Sequence, residues 1–109
     1  MSVPDEETAD AQRVPRDHLP LPQPYVAPRT DTERDLARIW CNVLSMDCVG
    51  AEDSYNDLGG DSLHAAVIFS RIRETFEVEL PIATLVTAPT VAQLARLIDE
   101  LTARSQQSG

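Results

Sequence analysis

The sequence contains no lysine: all nine basic residues are arginine, against eighteen acidic ones, and the formal net charge is -9. Such a chain repels nucleic-acid phosphates and shows no basic face, so nucleic acid is excluded as a partner. Basic patches on other proteins are its natural complement. Cysteine is scarce too. Cys41 and Cys48 form no CxxC, and His18 and His64 lie far apart in sequence, so no zinc pattern emerges. No apolar run is long enough to cross a membrane, and the N-terminus, Met-Ser-Val-Pro-Asp-Glu-Glu, lacks the basic and apolar parts of a secretion signal. These absences point to a cytoplasmic protein with reduced thiols, expected to be a monomer, in which Cys41 packs inside a helix rather than reacts.

Proline is concentrated. Six of the eight prolines fall within the first thirty residues, where apolar periodicity is missing, so residues 1–29 read as an extended or disordered lead. From residue 30 the pattern changes. Thr30-Asp31-Thr32-Glu33 has the form of a capping box, with Thr30 as the cap and Glu33 reaching back. Leu36, Ile39, Trp40, Val43 and Leu44 then recur on one helical face, which makes Trp40 a core residue. A second periodic stretch over residues 62–76 places Ala65, Ile68, Phe69, Ile72 and Phe76 toward a core. Pro81 suits the first position of a short helix over residues 82–86. Thr90-Val-Ala-Gln93 is another capping box, opening a helix that buries Val91, Leu94, Ala95, Ile98 and Leu101, with residues 104–109 fraying beyond it.

Between the first two long helices runs an unusually long connection, residues 45–60, and such loops are functional or disordered. Met46, Val49, Tyr55 and Leu58 are the side chains able to pin it to the helices. Its carboxylates, Asp47, Glu52, Asp53 and Asp57, with Asp61 just beyond, do not fit a calcium loop: counting from Asp53, the third position is Tyr55 and the sixth is Leu58 where glycine is needed. They read as solvated or capping groups. The loop ends in Asp-Leu-Gly-Gly-Asp-Ser-Leu-His-Ala, residues 57–65. Here Gly59 and Gly60 leave the main chain open to approach. Asp61 is a good N-cap, and Ser62 falls in the first helical turn, beside unpaired N–H groups and the positive end of the helix dipole. Leu63, Ala66, Val67 and Ser70 repeat on a face next to the serine, an uncharged strip suited to successive partners; a wider core stripe is the competing reading of Leu63 and Val67.

Residues 53–65 resemble the 4′-phosphopantetheine attachment segment of carrier proteins, and the double glycine is most similar to the thiolation (peptidyl carrier) domains of nonribosomal peptide synthetases. Leu19-Pro20-Leu21-Pro22 and Tyr25-Val26-Ala27-Pro28-Arg29-Thr30 resemble the linker between adenylation and thiolation domains. Val78-Glu79-Leu80-Pro81 and Ala88-Pro89-Thr90-Val91 look like the entries to helices three and four of that family. The resemblance implies an all-α, four-helix carrier bundle of three main helices and one short one over residues 30–103. It implies a non-catalytic protein holding an aminoacyl or peptidyl group as a thioester on an arm at Ser62, with Gly60 and Asp61 beside the attachment point and Leu63, Ala66 and Val67 as the docking strip. The arm, 4′-phosphopantetheine, would come from coenzyme A through a phosphopantetheinyl transferase using Mg²⁺. An adenylation enzyme would load it, and condensation, tailoring or thioesterase enzymes would take the product.

A polyketide or fatty-acyl carrier is the alternative within the family. Outside it stand a nonenzymatic helical adaptor and a small serine hydrolase. The hydrolase needs Asp61, Ser62 and His64 to form a triad, yet two residues along a helix turn a side chain by roughly 200°, which points His64 away from Ser62. Gly60-x-Ser62 is half of a nucleophile elbow, but His64 fills the last glycine's place and no strand precedes it. Aspartate before the serine departs from the histidine frequent in peptidyl carriers, and Tyr55-Asn56 stands where two phenylalanines are common; this leaves the downstream enzyme open. The short ends and Met1 suggest a freestanding carrier, while the linker-like lead is compatible with a piece of a larger module.

Overall fold

A computed structural model describes residues 13–108, with side chains through residue 104. The first twelve residues of the expected lead, and Gly109, lie outside the described residues. Four α-helices follow one another: α1 (Asp31–Leu44), α2 (Ser62–Phe76), α3 (Thr84–Thr87) and α4 (Val91–Ser108), preceded by a 3-10 turn at Arg16–His18. The all-α class and the three-plus-one helix pattern agree with the sequence reading.

Helix α1 is the hub, packing against both α2 and α4. Its stripe buries Leu36, Ile39 and Trp40 completely or nearly so, Cys41 joins them, and Val43 and Leu44 pack at the margin. Ala65, Ile68, Phe69 and Ile72 meet them from α2, and Val91, Leu94, Ala95 and Ile98 from α4. Burial pushes the Cys41 thiol up to about 11, so it is an inert packing group. Local signals set the helix starts. The Thr30 hydroxyl accepts from the Glu33 N–H, but Glu33 reaches past the cap and accepts from Arg29 N–H at 2.9 Å. At α4 the box is reciprocal: Thr90 Oγ1 accepts from Gln93 N–H, and Gln93 Oε1 accepts from Thr90 N–H.

Two boundaries differ from expectation. Residues 81–83 form a turn that leads into α3, with Thr84 N–H donating to the Pro81 carbonyl, so the α-helix proper starts at Thr84 rather than residue 82. The stretch expected to fray from residue 104 is helical through Ser108. Ala103 to Gln107 contain neither glycine nor proline, the residues that stop helices most effectively.

The described part of the lead, extended beyond the 3-10 turn, has contacts that no local pattern announces. Residues 13–29 lie along the long loop and are tied to it. Val14 pairs with Met46 in an isolated parallel bridge, Ala51 N–H donates to the Val26 carbonyl at 2.7 Å, and Leu19 and Leu21 pack against the core. At the centre, Arg16 Nε and Nη2 donate to the two carboxylate oxygens of Asp53, each at 2.6 Å. Gly50 N–H adds a third bond to Asp53, and the second Arg16 nitrogen also reaches the Gln23 carbonyl. Asp53 is 0% exposed and Arg16 8%. Asp53 is therefore neither solvated nor a helix cap, contrary to the reading from sequence, because its partner comes from a segment with no periodicity to reveal it. Glu52 is also engaged, with Arg29 at 3.0 Å.

Burial would raise the Asp53 carboxyl, but the Arg16 hydrogen bonds and the Gly50 N–H outweigh it and hold it below the usual carboxylate range. A carboxylate lowered in the folded state contributes stability above its unfolded value of about 3.9, and that contribution is lost as pH falls through the lower folded value. Asp53→Ala leaves a buried guanidinium unpaired and should cost about 3–5 kcal/mol in urea unfolding at neutral pH. The wild type should lose stability on acidification below about pH 4, and Asp53→Asn should lose less over the same interval.

Candidate functional site

The loop delivers residues 57–65 to one end of the bundle, and its anchors are the four side chains singled out from sequence: Met46, Val49, Tyr55 and Leu58 are all buried. Tyr55 does the most. Its N–H donates to the Pro89 carbonyl, its ring sits edge-on to Trp40 with centroids 5.4 Å apart, and its hydroxyl donates to the Asp61 carbonyl at 2.7 Å. The face of the ring covers Gly60, where any Cβ would run into it. Gly60 is thus required by contact, whereas Gly59 is required by conformation: its φ is +79° and the space around it is open.

Asp61 then caps α2 as expected, Oδ1 accepting from His64 N–H at 2.8 Å. That backbone bond, with smaller help from the nearby imidazole, lowers the Asp61 carboxyl below its ordinary value. The cap places Ser62 as the first residue of α2, exposed, among the helix's orphan N–H groups. His64 Nδ1 lies 3.0 Å from the same Asp61 oxygen. Even at that distance Nδ1 makes no hydrogen bond, so the Asp61 cap is made by the His64 backbone N–H, and among the described residues no hydrogen bond links the imidazole to the Ser62 hydroxyl. Aspartate and histidine are close together, but the serine stands outside the pair, and among the described residues no side chain is hydrogen-bonded to its hydroxyl.

On one side of Ser62 runs the strip of α2 that the sequence marked. Leu63 is 74% exposed, Val67 38%, and Ala66 is exposed beside them, so none of the three widens the core. On the other side a groove separates the start of α2 from α3, floored by Tyr55, Gly60 and Ala65 and walled by Ile82, Leu85 and Val86. Ile82 and Val86 stand 46% and 83% exposed. They were not picked out from sequence, since a four-residue helix is too short for periodicity to separate an inner from an outer face. The signal available was the apolar excess of residues 82–86 itself. Among the described residues no group of three potential metal ligands gathers, and no helix is long and apolar enough to cross a membrane.

Residues 34–98 match the family described as Phosphopantetheine attachment site. Gramicidin S synthase 2 of Brevibacillus brevis is 41% identical over 93 residues, which cover 79% of this chain but only 2% of that protein. Among solved structures, a peptidyl carrier protein in complex with a phosphopantetheine transferase and coenzyme A is 34% identical with a TM-score of 0.68, covering 70% of this chain and 99% of that one. An adenylation–peptidyl carrier structure complexed with phenylalanyl-adenylate is 31% identical with a TM-score of 0.62, covering 86% of this chain and 13% of the other.

The two glycines should respond differently to alanine. Gly60→Ala, forced against the Tyr55 ring, should cost about 1–3 kcal/mol and change the fluorescence of Trp40 through that ring. Gly59→Ala should cost about 1–2 kcal/mol from its backbone angle alone and leave the fluorescence as in the wild type. Urea titrations followed by Trp40 emission measure both effects.

Proposed function

Because the chain belongs to the phosphopantetheine-attachment family of carrier proteins, we propose that it is a peptidyl or aminoacyl carrier whose arm is attached at Ser62. The observation that carries this reading is the state of that serine: exposed, at the first position of α2, and among the described residues without a side chain hydrogen-bonded to its hydroxyl. A hydroxyl without a base is a poor nucleophile, so activation must come from another protein. The site fits the group it would hold. A phosphodiester at Ser62 would lie at the positive end of the α2 dipole, where a negative charge is stabilised by about 0.3–1 kcal/mol. The arm supplies a terminal thiol on which an acyl group is held as a thioester; buried Cys41 takes no part.

The chain's own residues present the site. Asp61 caps α2 so that Ser62 faces outward, and Gly60, having no side chain, lets the Tyr55 ring close against the loop just ahead of the serine. Leu63, Ala66 and Val67 form the strip that a phosphopantetheinyl transferase would grip. Adenylation enzymes and downstream condensation, tailoring or thioesterase enzymes would then use the same end of the molecule. Charge supports protein partners of opposite sign, since the chain carries -9 overall. Residues 30–103 would be the carrier domain proper, and residues 13–29 the strap through which it follows a preceding segment.

Incubated with coenzyme A, Mg²⁺ and a broad-specificity transferase, the protein should gain one phosphopantetheine by intact mass, and Ser62→Ala should gain none; a wild type that gains nothing contradicts the proposal. Leu63→Asp and Val67→Asp should each change stability by less than about 0.5 kcal/mol, being surface substitutions. They should slow that gain at limiting transferase, whereas unchanged rates would remove these residues from the docking strip.

A further inference from the structure

Tyr55 reaches the attachment site by three independent routes. Its ring covers Gly60. Its carbonyl accepts from Gly60 N–H at 3.3 Å and from Leu58 N–H at 3.2 Å, which closes the loop tip upon itself. Its hydroxyl donates to the Asp61 carbonyl, which belongs to the peptide unit joining Asp61 to Ser62. The same carbonyl accepts from Ala65 N–H at 2.9 Å, the first bond of the α2 ladder. One oxygen thus takes a donor from the helix and a donor from the loop, and its peptide plane carries the N–H of Ser62.

We propose that Tyr55 is the positioning residue of the acceptor serine, its hydroxyl fixing the Asp61–Ser62 peptide so that Ser62 meets an incoming phosphoryl group in one orientation. This rests on Ser62 being the attachment point. The anchor behind the hydroxyl is rigid: Tyr55 is 5% exposed, Trp40, which it meets edge-on, is 0% exposed, and the Tyr55 N–H is held by the Pro89 carbonyl at the entry to α4. Burial raises the phenol's pKa, so the hydroxyl keeps its proton and remains a donor at neutral pH. Phenylalanine at this position would preserve the ring's contacts with Gly60 and Trp40 and lose only the bond to the peptide.

The chain enters the transfer reaction as acceptor only, and orientation of an acceptor acts on the chemical step more than on encounter. Tyr55→Phe should therefore lower kcat for transfer of phosphopantetheine from coenzyme A by about three- to tenfold, the worth of one ordinary hydrogen bond, with a smaller change in KM for the carrier. Amide hydrogen exchange read by NMR on the unmodified protein supplies a second measure. In Tyr55→Phe the hydrogen-bonded amides of His64 and Ala65 should exchange faster, while those of residues 68–72, in the middle of α2, keep their wild-type protection. Wild-type kcat with unchanged exchange at His64 and Ala65 would overturn the proposal. So would faster exchange spread evenly along α2, which would mark Tyr55 as a packing residue only. If Tyr55→Phe does not fold, the wild type decides: its Tyr55 hydroxyl proton should resist exchange with solvent, and a freely exchanging hydroxyl overturns the assignment. Failure of the wild type to accept the arm at all would count against the carrier function, whereas equal loading of wild type and Tyr55→Phe would count against the positioning role alone.

Discussion

A serine at the end of a long loop can be offered in one place only if the loop holds one shape, and here that shape depends on polar groups buried with partners from distant segments. Residues 45–61 contain no helix or strand of their own. Ordering them costs about 1–2 kcal/mol of backbone entropy per residue, which a few apolar contacts offset only in part. The buried pair of Asp53 and Arg16 holds the middle of the loop to the strap, and Tyr55 holds its end to α1, α4 and the start of α2. The ion pair fixes geometry more than it adds net stability, because desolvating two charges offsets most of their attraction.

The site itself depends on division of labour. Asp61 and His64 are close enough to suggest catalysis, yet the Asp61 carboxylate is committed to the helix start through the His64 backbone N–H, and among the described residues neither side chain is hydrogen-bonded to the exposed Ser62. That combination suits a residue acted upon by other proteins. The apolar surface on either side, Leu63 and Val67 on α2, Ile82 and Val86 across the groove, is arranged around the serine rather than toward the core.

Most of the helical frame was legible from sequence, because it rests on local rules. Capping boxes at Thr30 and Thr90, the i, i+3, i+4 stripes of α1, α2 and α4, and the Asp61 cap each need only a few neighbouring residues to be recognised. What escaped was non-local or too short to carry a period. Arg16 and Asp53 are 37 positions apart and sit in stretches without periodicity, so their pairing left no trace in the pattern. Tyr55 could be read as an apolar anchor, but the target of its hydroxyl depends on how the loop folds back. Glu33 satisfied its capping role through Arg29 instead of Thr30, a shift of one residue that propensity cannot distinguish. The candidate site, by contrast, stands in the sequence as a local cluster: two glycines, a cap and a serine in four consecutive positions.

The absence of lysine makes the decisive measurement simple. Trypsin cleaving after Arg38 and Arg71 releases residues 39–71 as one peptide containing Ser45, Ser54, Ser62 and Ser70. Tandem mass spectrometry of that peptide, from protein loaded by a transferase with coenzyme A, should place the phosphopantetheine on Ser62. The arm on any of the other three serines, or a peptide that remains unmodified, would contradict the assignment of Ser62 as the attachment point.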